Sequence, residues 1–305
     1  MANSARRVLA PALASALSFA ACGAIGGSGA NATFCPPAAL ESVTVEARTV
    51  VPVTYAVLID RAYTGDSKRS ASYPWPQLPR TALETVAAAL PKLDLRAGDA
   101  VVGAWISHNS NDTSEIFLPF SQVKRASTPE LPVAPTPPKP PVNKLECNEY
   151  AANVQSFNDA ARAWRAKVHE LQQRASDEDQ RNVTTFISAT SAAIRGAAPA
   201  QDPVGTDIFG SLAVASGVFA ANPGSHRLLV FSDMTDTIGN PVRPDLAQSE
   251  VVVALYHRDD ANDQGRGQKD WDAMFRSLGA RAPVFLAWAA TTPDKLAEQL
   301  KGAVR

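Results

Sequence analysis

Residues 53–59, Val-Thr-Tyr-Ala-Val-Leu-Ile, are apolar or β-branched at every position. A strand without polar alternation has no face to offer water, so it belongs inside a sheet covered on both sides. Similar runs occupy 99–106, 228–231, 251–256 and 284–288, and a shorter one at 115–120 reads as an edge strand. Helical patterns lie between them at 81–90 (stopped by Pro91), 206–221, 268–278 and 293–304. Buried runs alternating with helices predict an α/β fold: a doubly wound, mostly parallel sheet with helices on both faces.

The middle of the chain departs from this rhythm. Residues 127–144 contain seven prolines and predict an extended, polyproline II-like linker. After it Tyr150, Val154, Phe157, Ala161, Trp164, Val168 and Leu171 recur at steps of four and three, a heptad-like helical stripe. Residues 181–195 form a second helical pattern, with Val183, Phe186, Ile187 and Ile194 on one face. Together they predict a helical hairpin inserted at 145–196 within a domain covering 50–305, its stripes packing on each other and on the sheet.

Charge excludes one class of partner. With 29 Lys+Arg against 30 Asp+Glu there is no basic arm for nucleic acid. Apolar residues at 45 % suffice for a real core. The amino terminus has the plan of an export signal at 1–21: Arg6 and Arg7, an apolar stretch, then Ala20-Ala21-Cys22. Small residues before a cysteine suit lipoprotein processing. Cys22 is therefore the expected lipidation site, residues 22–49 a tether and lead-in, and the bacterial cell envelope the expected location. No other run is long enough for a second membrane span. In an exported chain the two remaining cysteines, Cys35 and Cys147, are expected to form a disulfide.

In open α/β sheets ligands gather beyond the carboxyl ends of the strands. Asp60 follows the first strand, Asp233 follows the 228–231 strand, and Thr206 opens a helix in Gly205-Thr206-Asp207. At these residues the chain resembles the von Willebrand factor A-type domain family. Val57 to Thr64 resembles its first motif, an apolar strand ending in Asp-x-Ser-x-Ser. Gly205-Thr206-Asp207 resembles the second, and Leu229-Val230-Phe231-Ser232-Asp233 the third. The resemblance implies a metal-ion-dependent adhesion site, usually for Mg²⁺, formed here by Asp60, Thr64, Thr206 and Asp233. Ala62 departs from the pattern and offers no oxygen, so the site is expected to be degenerate, its metal weakly held or lost. The competing reading is that Asp60 and Asp233 accept loop amides while Thr206 caps its helix.

Other metal patterns are poorer. Asp260, Asn262, Gln264 and Gly265 imitate a calcium loop, but its twelfth position is Trp271. His108, His169, His226 and His257 lack companions at ligand spacing. No nucleophile elbow, zinc-protease helix or phosphate loop is present. The leading expectation is an exported, lipid-anchored binding protein, not an enzyme, whose partner is a protein or other envelope component. A hydrolase using Asp60 or Asp233, and a structural envelope protein using the helical hairpin, are the competing classes.

Overall fold

A computed structural model describes residues 35, 38–45, 50–61, 77–200, 204–255, 261–281 and 283–301. Positions 1–21, Cys22, Ala62 and Thr64 lie outside them. Among the described residues no helix is long and apolar enough to cross a membrane. The chain forms two compact units, one of Met1–Glu41 with Thr136–Ala160, the other of Ser42–Pro135 with Ala161–Arg305.

The larger unit holds a six-stranded sheet: β1 (Val53–Asp60), β2 (Ala100–Ile106), β3 (Ile116–Gln122), β4 (Ser225–Ser232), β5 (Glu250–Leu255) and β6 (Val284–Ala287). The spatial order is β3-β2-β1-β4-β5-β6, with every pair parallel except antiparallel β2·β3 at one edge. This is a doubly wound sheet, and its order reverses between β1 and β4. The short run at 115–120 is indeed the edge strand β3, with its register interrupted against Val101–Ala104.

The helices are α1 (Gln77–Ala89), α2 (Cys147–Gly196), α3 (Ile208–Ala221), α4 (Ala261–Ser277) and α5 (Pro293–Lys301). The period of two in β1 divides the core between two faces. Val53, Tyr55, Val57 and Ile59 pack with Leu83 and Val86 of α1, Ile194 of α2 and Leu296 of α5. Ala56 and Leu58 pack on the other face with Ile208, Leu212 and Phe219 of α3 and Phe275 of α4. Both faces are thus dry, as the uninterrupted apolar strand requires.

The expected hairpin is not there. One helix, α2, runs unbroken from Cys147 to Gly196. The polar stretch between the two apolar patterns contains neither Gly nor Pro, so nothing in it ends a helix. Its polar residues stabilise the helix from outside: Glu170 pairs with Lys167 and Arg174, and Gln173 donates to Asp177 at 2.8 Å. In the larger unit the helix also replaces backbone partners that the proline-rich linker lacks. Trp164 Nε1 donates to the Pro132 carbonyl at 2.8 Å, and Asp179 accepts the Ala126 N–H at 2.6 Å. Within the larger unit residues 126–132 and the helix after Ala160 therefore pack together, with Ala161, Trp164 and Val168 buried.

The smaller unit is secured covalently and by one amide. Cys35 and Cys147 are joined by a disulfide across 112 residues of chain. Closing a loop of that length stabilises by up to roughly 4–5 kcal/mol in the chain-entropy account. Asn158 accepts the Glu41 N–H and donates to the Ala39 carbonyl, each at 2.9 Å.

Candidate binding site at the carboxyl edge of the sheet

The parallel strands end at one edge, and β1 and β4 end side by side, with Ile59 opposite Phe231. Asp60 is the last residue of β1 and is only 3 % exposed. A carboxylate buried that deeply needs hydrogen-bond donors. The Ser232 hydroxyl, at the end of β4, donates to Asp60 Oδ2 at 2.6 Å. The same hydroxyl oxygen accepts the Met234 N–H at 2.9 Å. Met234 holds a left-handed backbone, φ 60°, uncommon for a side chain of its size. Its carbonyl accepts Trp271 Nε1–H at 2.9 Å. A continuous chain of hydrogen bonds therefore runs from an indole on α4 to the carboxylate at the point where the strand order reverses.

The neighbouring loops are tied to one another in the same manner. Thr206, 2 % exposed, donates its N–H to Thr237 Oγ1 at 2.9 Å and accepts Thr237 and Ile238 N–H groups on its carbonyl. Asp207 donates its N–H to the Ser107 carbonyl just beyond β2, and its own carbonyl accepts the Ser110 hydroxyl at 2.8 Å. Three loops, following β2, preceding α3 and following β4, thus converge on one edge. Asp207, not Thr206, caps α3: its Oδ1 accepts the Gly210 N–H at 2.8 Å, and its Oδ2 accepts the Asn240 amide at 3.1 Å. A Cβ at Gly210 would fall 2.1 Å from Asp207 Oδ2, so a larger residue there must displace the capping carboxylate.

Asp233 lies one residue past β4, half-buried, and its Oδ1 accepts the Thr235 N–H at 2.8 Å. Arg61, after Asp60, pairs with buried Glu115 at 2.5 Å. Among the described residues Arg61 Nε and Glu115 Oε2 have no hydrogen-bond partner. Apolar side chains stand exposed at the rim of the same loops: Val204 at 64 %, Ile238 at 43 % and Val242 at 42 %.

Asp60, Thr206 and Asp233 are therefore all placed at this edge, while Thr64 falls outside the described residues. Ser107, Ser110, Asp207, Ser232, Thr237 and Asn240 join them. Some of the described oxygens are already engaged by protein donors. The Ser232 oxygen already accepts an N–H while its proton is given to Asp60, and Asp233 Oδ1 is taken by Thr235. Among the described residues no three His, Cys, Asp or Glu side chains group as metal ligands. Position 62 is alanine and brings no oxygen.

No family model matches the chain, and no curated protein matches it in sequence. Among solved structures it is similar to a von Willebrand factor type A protein from Catenulispora acidiphila, at 12 % identity and TM-score 0.39, over 83 % of this chain and 42 % of that one. It is also similar to the three N-terminal domains of the type V pili tip protein Mfa5 from Porphyromonas gingivalis, at 13 % identity and TM-score 0.27, over 73 % of this chain and 27 % of that one. A third is the human COPII-coat protein Sec24c, at 8 % identity and TM-score 0.33, over 82 % and 32 %. The chain thus spans less than half the length of each. Likenesses at these TM-scores establish no family and no activity; the fold rests on the strand order itself.

Proposed function

We propose that the chain is an exported, lipid-anchored binding protein of a bacterial cell envelope. Its von Willebrand factor A-like domain holds a protein or other envelope component at the carboxyl edge of the sheet. It acts by binding, not catalysis, and without a resident metal ion.

The observation that carries this reading is the three loops bonded into one surface around Asp60, Thr206 and Asp233. Polar groups fixed by neighbours lose little freedom when a partner arrives, which favours affinity. Exposed Val204, Ile238 and Val242 at the rim add apolar area to such a contact. The export and lipid parts rest on Ala20-Ala21-Cys22.

The test is capture from the native envelope by the exported domain, comparing wild type with an Ile238→Asp, Val242→Asp double variant. Both side chains are exposed, so the variant should fold normally and lose the captured partner. Capture undiminished by that change would place the partner on another surface. Cys22→Ala should move the protein to the soluble exported fraction and abolish palmitate labelling. An unlabelled wild type would remove the lipid anchor from the account.

A further inference from the structure

Beside this edge, where β4, β5 and β6 end, the fold leaves a cavity of about 330 Å³. That is at the lower end of the range of ligand cavities, roughly 300–1,000 Å³. Trp271, Phe285 and Trp288 line it, together with Met234, Gln268 and Asp233. Among its described lining residues there is no Lys, Arg or His.

The walls are held by contacts outside the cavity. The Trp271 indole is fixed by its bond to the Met234 carbonyl and lies against Phe209 and Phe275, with ring centres 5.7 and 5.9 Å away. Trp288 meets Phe231 edge to face at 6.1 Å. Indoles held in this manner are walls already in place, not side chains that must be ordered by a ligand.

We infer that this cavity binds an organic cation, an ammonium group carried on an apolar stem. Aromatic faces are electron-rich and attract a cation within about 6 Å of the ring. Met234 adds a polarizable thioether and Asp233 a formal negative charge. Each of these features favours a cation and disfavours an anion, whereas a neutral group of the same shape gains only the burial of its surface. Asp233 keeps its Oδ1 on the Thr235 N–H and contributes through its charge. The inference does not rest on the partner-binding reading. The ammonium group could be a free small molecule or a lysine side chain on a partner, and the chemistry at the walls is the same.

The experiment titrates the full exported chain in EDTA and follows the indole N–H resonances of Trp271 and Trp288, assigned by single Trp→Phe replacements. The probes are choline, its neutral isostere 3,3-dimethylbutan-1-ol, and N-acetyl-lysine amide. A cation should bind about tenfold more tightly than the neutral isostere, in keeping with a partly desolvated cation–π site. The tighter of choline and the lysine amide identifies the source. Asp233→Asn should lower the preference for charge without abolishing it, the aromatic walls keeping the remainder. Ala289→Leu, on an exposed position of the cavity wall, should weaken every probe while leaving the rest of the spectrum unchanged. Equal binding of the isostere, no binding of any probe, or shifts indifferent to both variants would overturn the inference. EDTA and small probes keep the result separate from any failure of partner capture.

Discussion

Two buried carboxylates stand at opposite edges of one sheet, one ending β1 and one just before β2, and they are bonded differently. Asp99, fully buried at the amino edge before β2, accepts the Val53 N–H at 2.8 Å on Oδ1 and the Arg96 N–H at 2.9 Å on Oδ2. Its own backbone carbonyl accepts Val123 N–H. It fastens the beginnings of β1 and β2 and the end of β3 through main-chain groups. Asp60, at the carboxyl edge, accepts a side-chain hydroxyl from Ser232 within a chain of bonds that leads to the aromatic cavity. A carboxylate tied to the backbone is part of the frame. Asp60, at the reversal of strand order, accepts instead a hydroxyl from a side chain that itself holds a loop N–H. Both residues are buried, so what distinguishes them is the kind of donor each accepts.

Removing the frame carboxylate should have the largest effect. Asp99→Ala leaves the buried Val53 N–H and the part-buried Arg96 N–H without their acceptor and should cost about 3 kcal/mol in urea unfolding. A loss under about 1 kcal/mol would mean that the amino edge is not held in this manner.

Gly210→Ala sharpens the other side of the comparison. The added Cβ must push Asp207 away, breaking its cap on α3 and its bond to Asn240. The expected cost is about 1–2 kcal/mol, with partner capture lost as the loop moves. Unchanged capture would show that the tie between the loops does not shape the binding face.

Magnesium asks whether Asp60 holds an ion in addition to Ser232. A ligand well below its Kd leaves stability unchanged. Around 1 mM Mg²⁺ should therefore barely move the Tm of the wild type, this being the weak end of divalent sites. Ala62→Ser, restoring the missing hydroxyl, should produce a Mg²⁺-dependent rise that Asp60→Ala erases. A clear rise in the wild type would instead make metal-bridged binding the better account.

The smallest effect belongs to the exposed flank of α2. Lys167, bonded to Glu170, and the nearby Arg174 hold the Glu170 carboxyl below its ordinary range. Because the folded-state value is depressed, this contribution is present above the unfolded-state value, near about pH 4.3, and fades as the pH falls. Glu170→Gln should flatten the acid limb of the stability curve slightly and leave pH 7 to 9 parallel to wild type. A steeper acid limb would reverse the assigned direction.

The strands were legible because five of them are apolar on both faces, a pattern that only a covered sheet accepts. Asp60 and Asp233 stood out because each terminates such a run. Their partners did not. Ser232 meets Asp60 across 172 residues of chain, and serines and asparagines in loops are too common for Ser107, Ser110 or Asn240 to announce themselves. Asp207 carried a usable signal, a capping residue three positions before a glycine, which the neighbouring threonine obscured. The break expected in α2 came from reading polarity as a loop, where the absence of Gly and Pro was the better guide. Trp271 lies in the helical pattern at 268–278 and Trp288 ends the strand run at 284–288, and their shared cavity exists only once β4, β5 and β6 are aligned.

Asp60→Asn and Asp99→Asn, measured side by side for unfolding free energy and for capture of the envelope partner, test the central distinction most directly. Each change keeps shape and removes charge. The account predicts a crossing: Asp99→Asn loses about 2 kcal/mol of stability yet captures normally while folded, whereas Asp60→Asn loses less than about 1 kcal/mol and abolishes capture. If the two variants lose stability equally and both still capture the partner, Asp60 is frame as well, and the carboxyl edge is not the binding face.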